Sequence, residues 1–380
     1  MNLNRLKNIF LLIVTIGITL TLVEITLRLA DFPKQSLKPS IVYDPILLYK
    51  MPGNFPGVDH DGFRNPAIPE QVDLVSLGDS HTYGFNASIE ENWPSQLASM
   101  TGLSVYNLGV GGYGPLQYFY LFDRALDLKP RYVIVGLLLS NDIKSICDLY
   151  LTSSYWKSRS FKEGLDLSYC NQTSVAKGKG EKRRTREQED EPGQSKLLTL
   201  LQIGLRWVRG SIPINTDDTI VVDIAGSKTM FETRKVKNHN DYMDISIPEI
   251  QQSLEVTSAI FSKMAIRAHE HNAQLVVLAI PSKEYVFSAL LRKNGRPVPE
   301  VMARTAEKER LLGIRIMDQL KTKNIPCIDA KLAVLSSSEK NSNVYPQDSD
   351  GHPLALGYKA YAQALYDGFL RAQLSNTTPR

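Results

Sequence analysis

A chain of 380 residues, 43% hydrophobic and 22% charged, has globular composition and room for one large α/β domain with insertions or for two ordinary domains. Its formal charge of +4 is too small to imply a nucleic-acid partner. The three cysteines, Cys147, Cys170 and Cys327, show no metal-ligand spacing and allow at most one internal bridge.

Residues 9–23 carry no charge and follow Arg5 and Lys7, the pattern of an export or anchor segment. The uncharged stretch is shorter than the roughly 20 residues that span a bilayer, but Glu24 and Arg28 at the interface extend it to about Ala30. Thr26 to Ala30 offers no small-residue cleavage site. Residues 1–30 are therefore expected to stay as a single-pass anchor, with the amino end in the cytoplasm and the rest on the periplasmic or extracellular side. Residues 31–70 are proline-rich with little periodicity and read as an extended arm.

The apolar run 72–77 predicts a short buried strand, and Gly78-Asp79-Ser80-His81 follows it directly. A serine hydroxyl is thereby placed where a strand ends in a turn, the edge at which α/β folds expose reactive side chains, although the same residues also suit an ordinary turn. A helix over 92–100 and a strand over 103–108 come next, with the glycine-rich Asn107-Leu108-Gly109-Val110-Gly111-Gly112 at the strand's end. Helix 116–128 and strand 132–138 then lead into Leu139-Ser140-Asn141-Asp142.

Between 151 and about 245 this alternation stops, which reads as an insertion. Residues 177–191, a basic block followed by an acidic one with no apolar anchor, predict disorder around 175–193. Residues 197–209 predict an amphipathic helix ending in arginines, suited to the domain's own surface, to a membrane surface or to a lid. Helix 248–271, strand 275–280, helix 298–323 and strand 326–329 resume the alternation, and Cys327 in the last strand reads as buried. Cys147 and Cys170 flank one segment, and a bridge between them would close a loop of moderate length. Asp348-Ser349-Asp350-Gly351-His352-Pro353 precedes a helix-forming stretch at 354–358. Strand and helix in alternation predict a parallel sheet covered on both faces, a three-layer α/β/α sandwich of five strands with flavodoxin-like layering. Residues 71–150 and 246–372 would form its two parts, with 373–380 as a tail.

Ser80, the glycines after Asn107, Asn141 and His352 thus form four ordered blocks at strand ends. In this the chain resembles a membrane-anchored bacterial member of the SGNH (GDSL-type) hydrolase superfamily, whose blocks carry Ser, Gly, Asn and His; the resemblance covers roughly 70–150 and 245–372. It implies the same five-stranded sandwich, Ser80 as nucleophile, His352 as base, and an oxyanion hole made by the backbone N–H groups of Ser80 and Gly112 and the side-chain amide of Asn141. Gly112 is taken because it lies five residues after Asn107, with Gly109 and Gly111 as alternatives. Leu139 stands where the family usually has glycine, and Ser349 where it commonly has the triad aspartate; Asp350 is expected in that role, with Asp348 as the alternative. Asp61-Gly62-Phe63-Arg64-Asn65-Pro66 resembles a segment before the serine block of membrane-anchored members, which would pack the arm on the fold; a plain turn at Asp61-Gly62 explains it equally. Ser282-Lys283-Glu284 resembles a Pro-Ser-Lys segment of related exopolysaccharide-modifying proteins.

A serine hydroxyl, protonated at neutral pH, needs a base to take its proton as the new bond forms, and histidine titrates in the right range. A carboxylate at the other ring nitrogen fixes the tautomer, and Gly351 lets the chain turn so that Asp350 and His352 share an edge. Asp79 and Asp142 are expected to orient loops, and His81 to contact substrate or support the turn. His60, His239, His269 and His271 have no partner pattern. These readings lead to an anchored extracytoplasmic serine hydrolase of carboxylic esters, O-acetyl esters foremost, with no metal and no cofactor. The alternatives are O-acyl transfer to a cell-envelope polysaccharide by the same residues, and a non-catalytic envelope assembly or binding protein. The expected partners are the membrane, through the amino-terminal helix, and an acylated carbohydrate or other ester.

Overall fold

The computed structural model describes residues 3–29, 41–53, 57–172, 197, 201, 219–224 and 227–375. The disorder predicted around 175–193 and nearly all of the helix predicted at 197–209 lie outside these residues. Two compact units are present: residues 1–40 with 189–214, and residues 41–188 with 215–380. The first contains α1 (Leu3–Leu29), whose stretch Phe10–Leu27 is long and apolar enough to cross a membrane.

The second unit begins with an antiparallel hairpin, β1 (Val42–Asp44) and β2 (Leu48–Lys50). There follow β3 (Leu74–Gly78), α2 (Ser80–Tyr83), α3 (Trp93–Thr101), β4 (Val105–Asn107), α4 (Pro115–Asp127), β5 (Tyr132–Leu138), α5 (Asp142–Thr152) and α6 (Ser154–Lys162). After the insertion's hairpin β6 (Thr219–Ile224) and β7 (Ser227–Glu232) come α7 (Thr233–Tyr242), α8 (Pro248–Glu270), β8 (Gln274–Ile280), α9 (Lys283–Lys293) and α10 (Glu300–Thr322). The chain closes with β9 (Cys327–Asp329), α11 (Lys331–Lys340), α12 (Ala355–Leu365) and α13 (Arg371–Ser375).

Strands β4-β3-β5-β8-β9 form one sheet, parallel throughout. Its central strand β5, Tyr-Val-Ile-Val-Gly-Leu-Leu, is buried along its whole length because helices cover both faces. Val133, Val135 and Leu137 join one core with α4, α5, α8 and α10, while Ile134 and Leu138 join the other with α3, α9, α11 and α12. This is the expected α/β/α sandwich. The chain runs from β3 outward to β4 and then back across to β5, so the direction of winding reverses between β3 and β5. A crevice opens at such a switch point, outside the carboxyl ends of the strands, and Ser80 and Asn141 follow those two strands directly.

The turn that carries Ser80 can sit close to the sheet because Gly78 and Gly136 are partners in register on β3 and β5, and a Cβ on either would overlap the Thr82 side chain. Residues 41–53 and 57–70, expected within an extended arm for which packing on the fold and a plain turn at Asp61-Gly62 were equal readings, pack into the second unit: Leu47, Tyr49, Met51, Val58 and Phe63 belong to its core. The described parts of the insertion also pack there, with Val222, Phe231 and Val236 against Leu291 and Met302. Cys147 and Cys170 are bridged. Cys327, expected to be buried, is only partly so, because β9 is an edge strand.

Candidate active site

Asp79 stands at the N-cap of α2, accepting the His81 N–H at 2.9 Å, and this turn sets the Ser80 hydroxyl at the sheet's end. The Ser80 Oγ lies 2.8 Å from His352 Nε2, and His352 Nδ1 lies 2.6 Å from Asp350 Oδ1. With the Nδ1 proton held on Asp350, the Nε2 lone pair is free to accept the serine proton. The loop after β9 and α11 carries both residues, and Asp350 Oδ1 also accepts the His352 backbone N–H at 2.9 Å. Asp348, the alternative acid, faces elsewhere: its Oδ1 accepts the Asp350 N–H and so shapes the turn. Burial pushes the Asp350 carboxyl up, but the hydrogen bond and charge of His352 outweigh it and leave the pKa below the ordinary 3.8.

Around this line the sequence-predicted residues take distinct positions. His81 is buried, with Nδ1 3.2 Å from the Tyr361 hydroxyl, and its ring lies 5.0 Å from that of His352. Burial, and then the charge of His352, lower its pKa well below 6.5, so it packs as a neutral ring. Burial pushes the Asp79 carboxyl up to about 6, against the hydrogen bonds and charge of His81, His352 and Ser80. Asp142 accepts the Leu138 N–H and the Tyr118 hydroxyl, both at 2.9 Å, and ties the end of β5 to α4. Burial and then the neighbouring charge of Asp79 drive its carboxyl well above 3.8. Asn141 is the N-cap of α5, half-buried, and its side chain makes no capping hydrogen bond. Its amide is thus not committed to its own helix.

The glycine-rich segment after β4 is laced to the turn that carries Ser80. The Asn107 amide donates to Thr82 O at 2.9 Å while its oxygen accepts the Gly109 N–H at 2.8 Å. Gly111 lies against the serine: a Cβ there would start 3.6 Å from the Ser80 Cβ. Gly112 has φ +80°, in the left-handed region that favours glycine. Among the described residues no group of three or more His, Cys, Asp or Glu could hold a metal ion.

Four supports were not visible as site residues in the sequence. The buried Arg64 guanidinium donates to the carbonyls of Tyr83 (3.0 Å), Gly84 (2.6 Å) and Ala87 (2.7 Å), bracing the chain after Ser80. Asn65 exchanges two hydrogen bonds with the Asn107 backbone, at 2.8 and 3.0 Å. The buried Lys283 ammonium donates to the carbonyls of Pro346 (2.8 Å), Asp348 (2.6 Å) and Asp350 (3.0 Å), and burial lowers its pKa to about 8 against the nearby carboxylates. His239, expected to be without a partner, has Nδ1 3.1 Å from Glu284 Oε1. Only Asp61-to-Pro66 and Ser282-Lys283-Glu284 gave any signal, through their resemblance to segments of other proteins.

No family model and no curated protein matches the chain. Solved structures do: a lipolytic protein of the G-D-S-L family from Desulfitobacterium hafniense is 13% identical at a TM-score of 0.36, covering 78% of this chain and 98% of its own. An extracellular lipase from Streptomyces rimosus gives 13% and 0.38 (78% and 99% covered), and an acetylxylan esterase from Geobacillus stearothermophilus 10% and 0.38 (79% and 95%). The roles of individual residues rest on the distances above.

Proposed function

We propose that the protein is a serine hydrolase of the SGNH kind that cleaves O-acyl esters through an acyl-enzyme on Ser80. The observation that carries this reading is the unbroken line from Ser80 Oγ through the His352 ring to Asp350, with links of 2.8 and 2.6 Å. Ser80 Oγ attacks the ester carbonyl carbon as its proton passes to His352 Nε2. The tetrahedral oxyanion collapses, the carbon–oxygen bond to the alcohol breaks, and the alcohol leaves with the proton from His352. Water then repeats the sequence, giving its proton to His352 and releasing the carboxylic acid and the Ser80 hydroxyl. In this scheme the backbone N–H groups of Ser80 and Gly112 and the amide of Asn141 bind the oxyanion, each donor contributing roughly 3 kcal/mol of transition-state stabilisation.

The apolar α1 supports a membrane anchor, and the Cys147–Cys170 bridge supports a domain on the oxidising, extracytoplasmic side. On that side an O-acetylated envelope or extracellular carbohydrate is the substrate class in reach. The test uses the full chain in detergent, beside its Ser80→Ala variant, with p-nitrophenyl acetate. The expected result is p-nitrophenol release and an acetyl group on Ser80 by mass spectrometry, both lost in the variant. Release undiminished in Ser80→Ala would overturn the reading. An acetyl-enzyme that discharges only when a polysaccharide acceptor is added would convert it to acyl transfer by the same residues.

A further inference from the structure

The oxyanion hole in this reading depends on the direction of one backbone N–H, that of Gly112. Val110 to Tyr113 form a turn closed by the Tyr113 N–H to Val110 O at 3.2 Å, with Gly112 at φ +80° in its third position. That is the type II arrangement. Type I and type II turns differ by a rotation of about 180° of the central peptide, here the one joining Gly111 to Gly112. Glycine on both sides of that peptide leaves no Cβ to oppose the rotation.

One hydrogen bond does oppose it: the Tyr49 hydroxyl donates to Gly111 O at 2.7 Å. In a planar trans peptide the C=O and the following N–H point to opposite sides. Holding the Gly111 oxygen on Tyr49 therefore turns the Gly112 N–H away from Tyr49. That N–H donates to no described group, and the Gly111 backbone it adjoins lies beside Ser80. Tyr49 is fixed in turn: it is buried, and the Tyr113 hydroxyl donates to its carbonyl at 2.6 Å. The last residue of the turn thus secures the side chain that secures the turn's central peptide.

We propose that Tyr49 is a positioning residue for the oxyanion donor: its hydroxyl locks the Gly111–Gly112 peptide in the orientation that presents the Gly112 N–H to the tetrahedral intermediate. The inference rests on the Ser80 hydrolase reading and adds to it a residue that lies before the first strand of the main sheet. Without the hydroxyl the peptide rotates between two turn types, and only one of them offers the donor.

In the full chain, Tyr49→Phe is expected to lower kcat for p-nitrophenyl acetate about 10- to 100-fold, up to the loss known for one oxyanion donor. KM stays within about twofold and the pH profile keeps its shape, because the Ser80–His352–Asp350 line is untouched. Affinity for an alkylboronic acid, which forms a tetrahedral adduct on serine, should fall by the same factor as kcat. Should Tyr49→Phe fail to fold, Tyr113→Phe reads the same coupling by freeing the Tyr49 carbonyl, with a smaller fall in kcat at constant KM. A folded Tyr49→Phe (or, in its place, Tyr113→Phe) with undiminished kcat, or with a loss confined to KM, overturns the inference. Wild-type protein that never acylates Ser80 takes down the hydrolase reading itself, whereas wild type that acylates beside an unimpaired Tyr49→Phe overturns the Tyr49 role alone.

Discussion

His352 is placed by one carboxylate and two rings: Asp350 at Nδ1, with Phe85 and His81 at ring distances of 5.1 and 5.0 Å. The pKa of Asp350 lies below 3.8 in the folded chain, so its carboxylate stabilises the fold at pH above the unfolded value, and that stability is lost as pH falls through the lower, folded one. Asp350→Asn is accordingly expected to lower the melting temperature at pH 7, with a difference from wild type that shrinks in melts run progressively below pH 4. In activity it should cost on the order of 10⁴-fold in kcat, as the amide imposes the wrong tautomer on His352. At this scale the positions of Ser80 and Asn141 were legible, since each follows a strand whose apolar pattern gave its limits, whereas His352, read as lying at a strand end, sits in the loop after α11. Tyr49, Arg64, Asn65 and Lys283 were not, because they act on backbone carbonyls and amides, and any residue can supply those. His239 found Glu284 across 45 positions of sequence, a separation that leaves no periodic trace.

Among the elements, the five sheet strands were readable to within two residues, since short, mostly apolar runs alternate with helix-forming stretches there. Helices α2, α5, α6, α7, α9, α11 and α13 were not singled out. For α9 the start signal was present, Ser282 capping with its side chain on the Tyr285 N–H at 3.1 Å, but two charged residues open the helix and obscure its apolar face. That start matters for the site, because it fixes Lys283 where one ammonium gathers three carbonyls of the loop carrying Asp350. Lys283→Met removes all three donors and leaves the carbonyls to compete for water in a confined space. The expected cost is about 2–4 kcal/mol in denaturant unfolding. The expected fall in kcat is roughly 10- to 100-fold, because displacing a reacting group by an ångström has effects of that size. Unchanged kcat in a folded Lys283→Met would show that residues 346–352 hold their shape without the lysine.

For the molecule as a whole, the Cys147–Cys170 bridge joins α5, which begins beside Asn141, to the short turn at 168–172, closing a loop of 23 residues. Loop-closure entropy for this length gives about 3 kcal/mol. Reduction is therefore expected to lower the melting temperature by roughly 5–10 °C. Esterase activity at 25 °C should persist after reduction, because the bridge touches none of the groups that would move a proton; loss of activity with an unchanged melting temperature would refute this division of labour. The packing of residues 41–53 and 57–70 bears on a different matter, where the proposed catalytic unit starts. Tyr49, Arg64 and Asn65 hold the Gly111 carbonyl, the chain after Ser80 and the Asn107 backbone, yet all three precede the first strand of the sheet. A boundary drawn by fold, at residue 71, would keep every strand of the five-stranded sheet and every residue of the Ser80–His352–Asp350 line while cutting away side chains that brace them. It would also remove Leu47, Tyr49, Met51, Val58 and Phe63 from the core, so a chain cut at 71 is expected to melt lower than one that begins at Ile41 and to lose the proposed Ser80 acylation that the longer chain keeps.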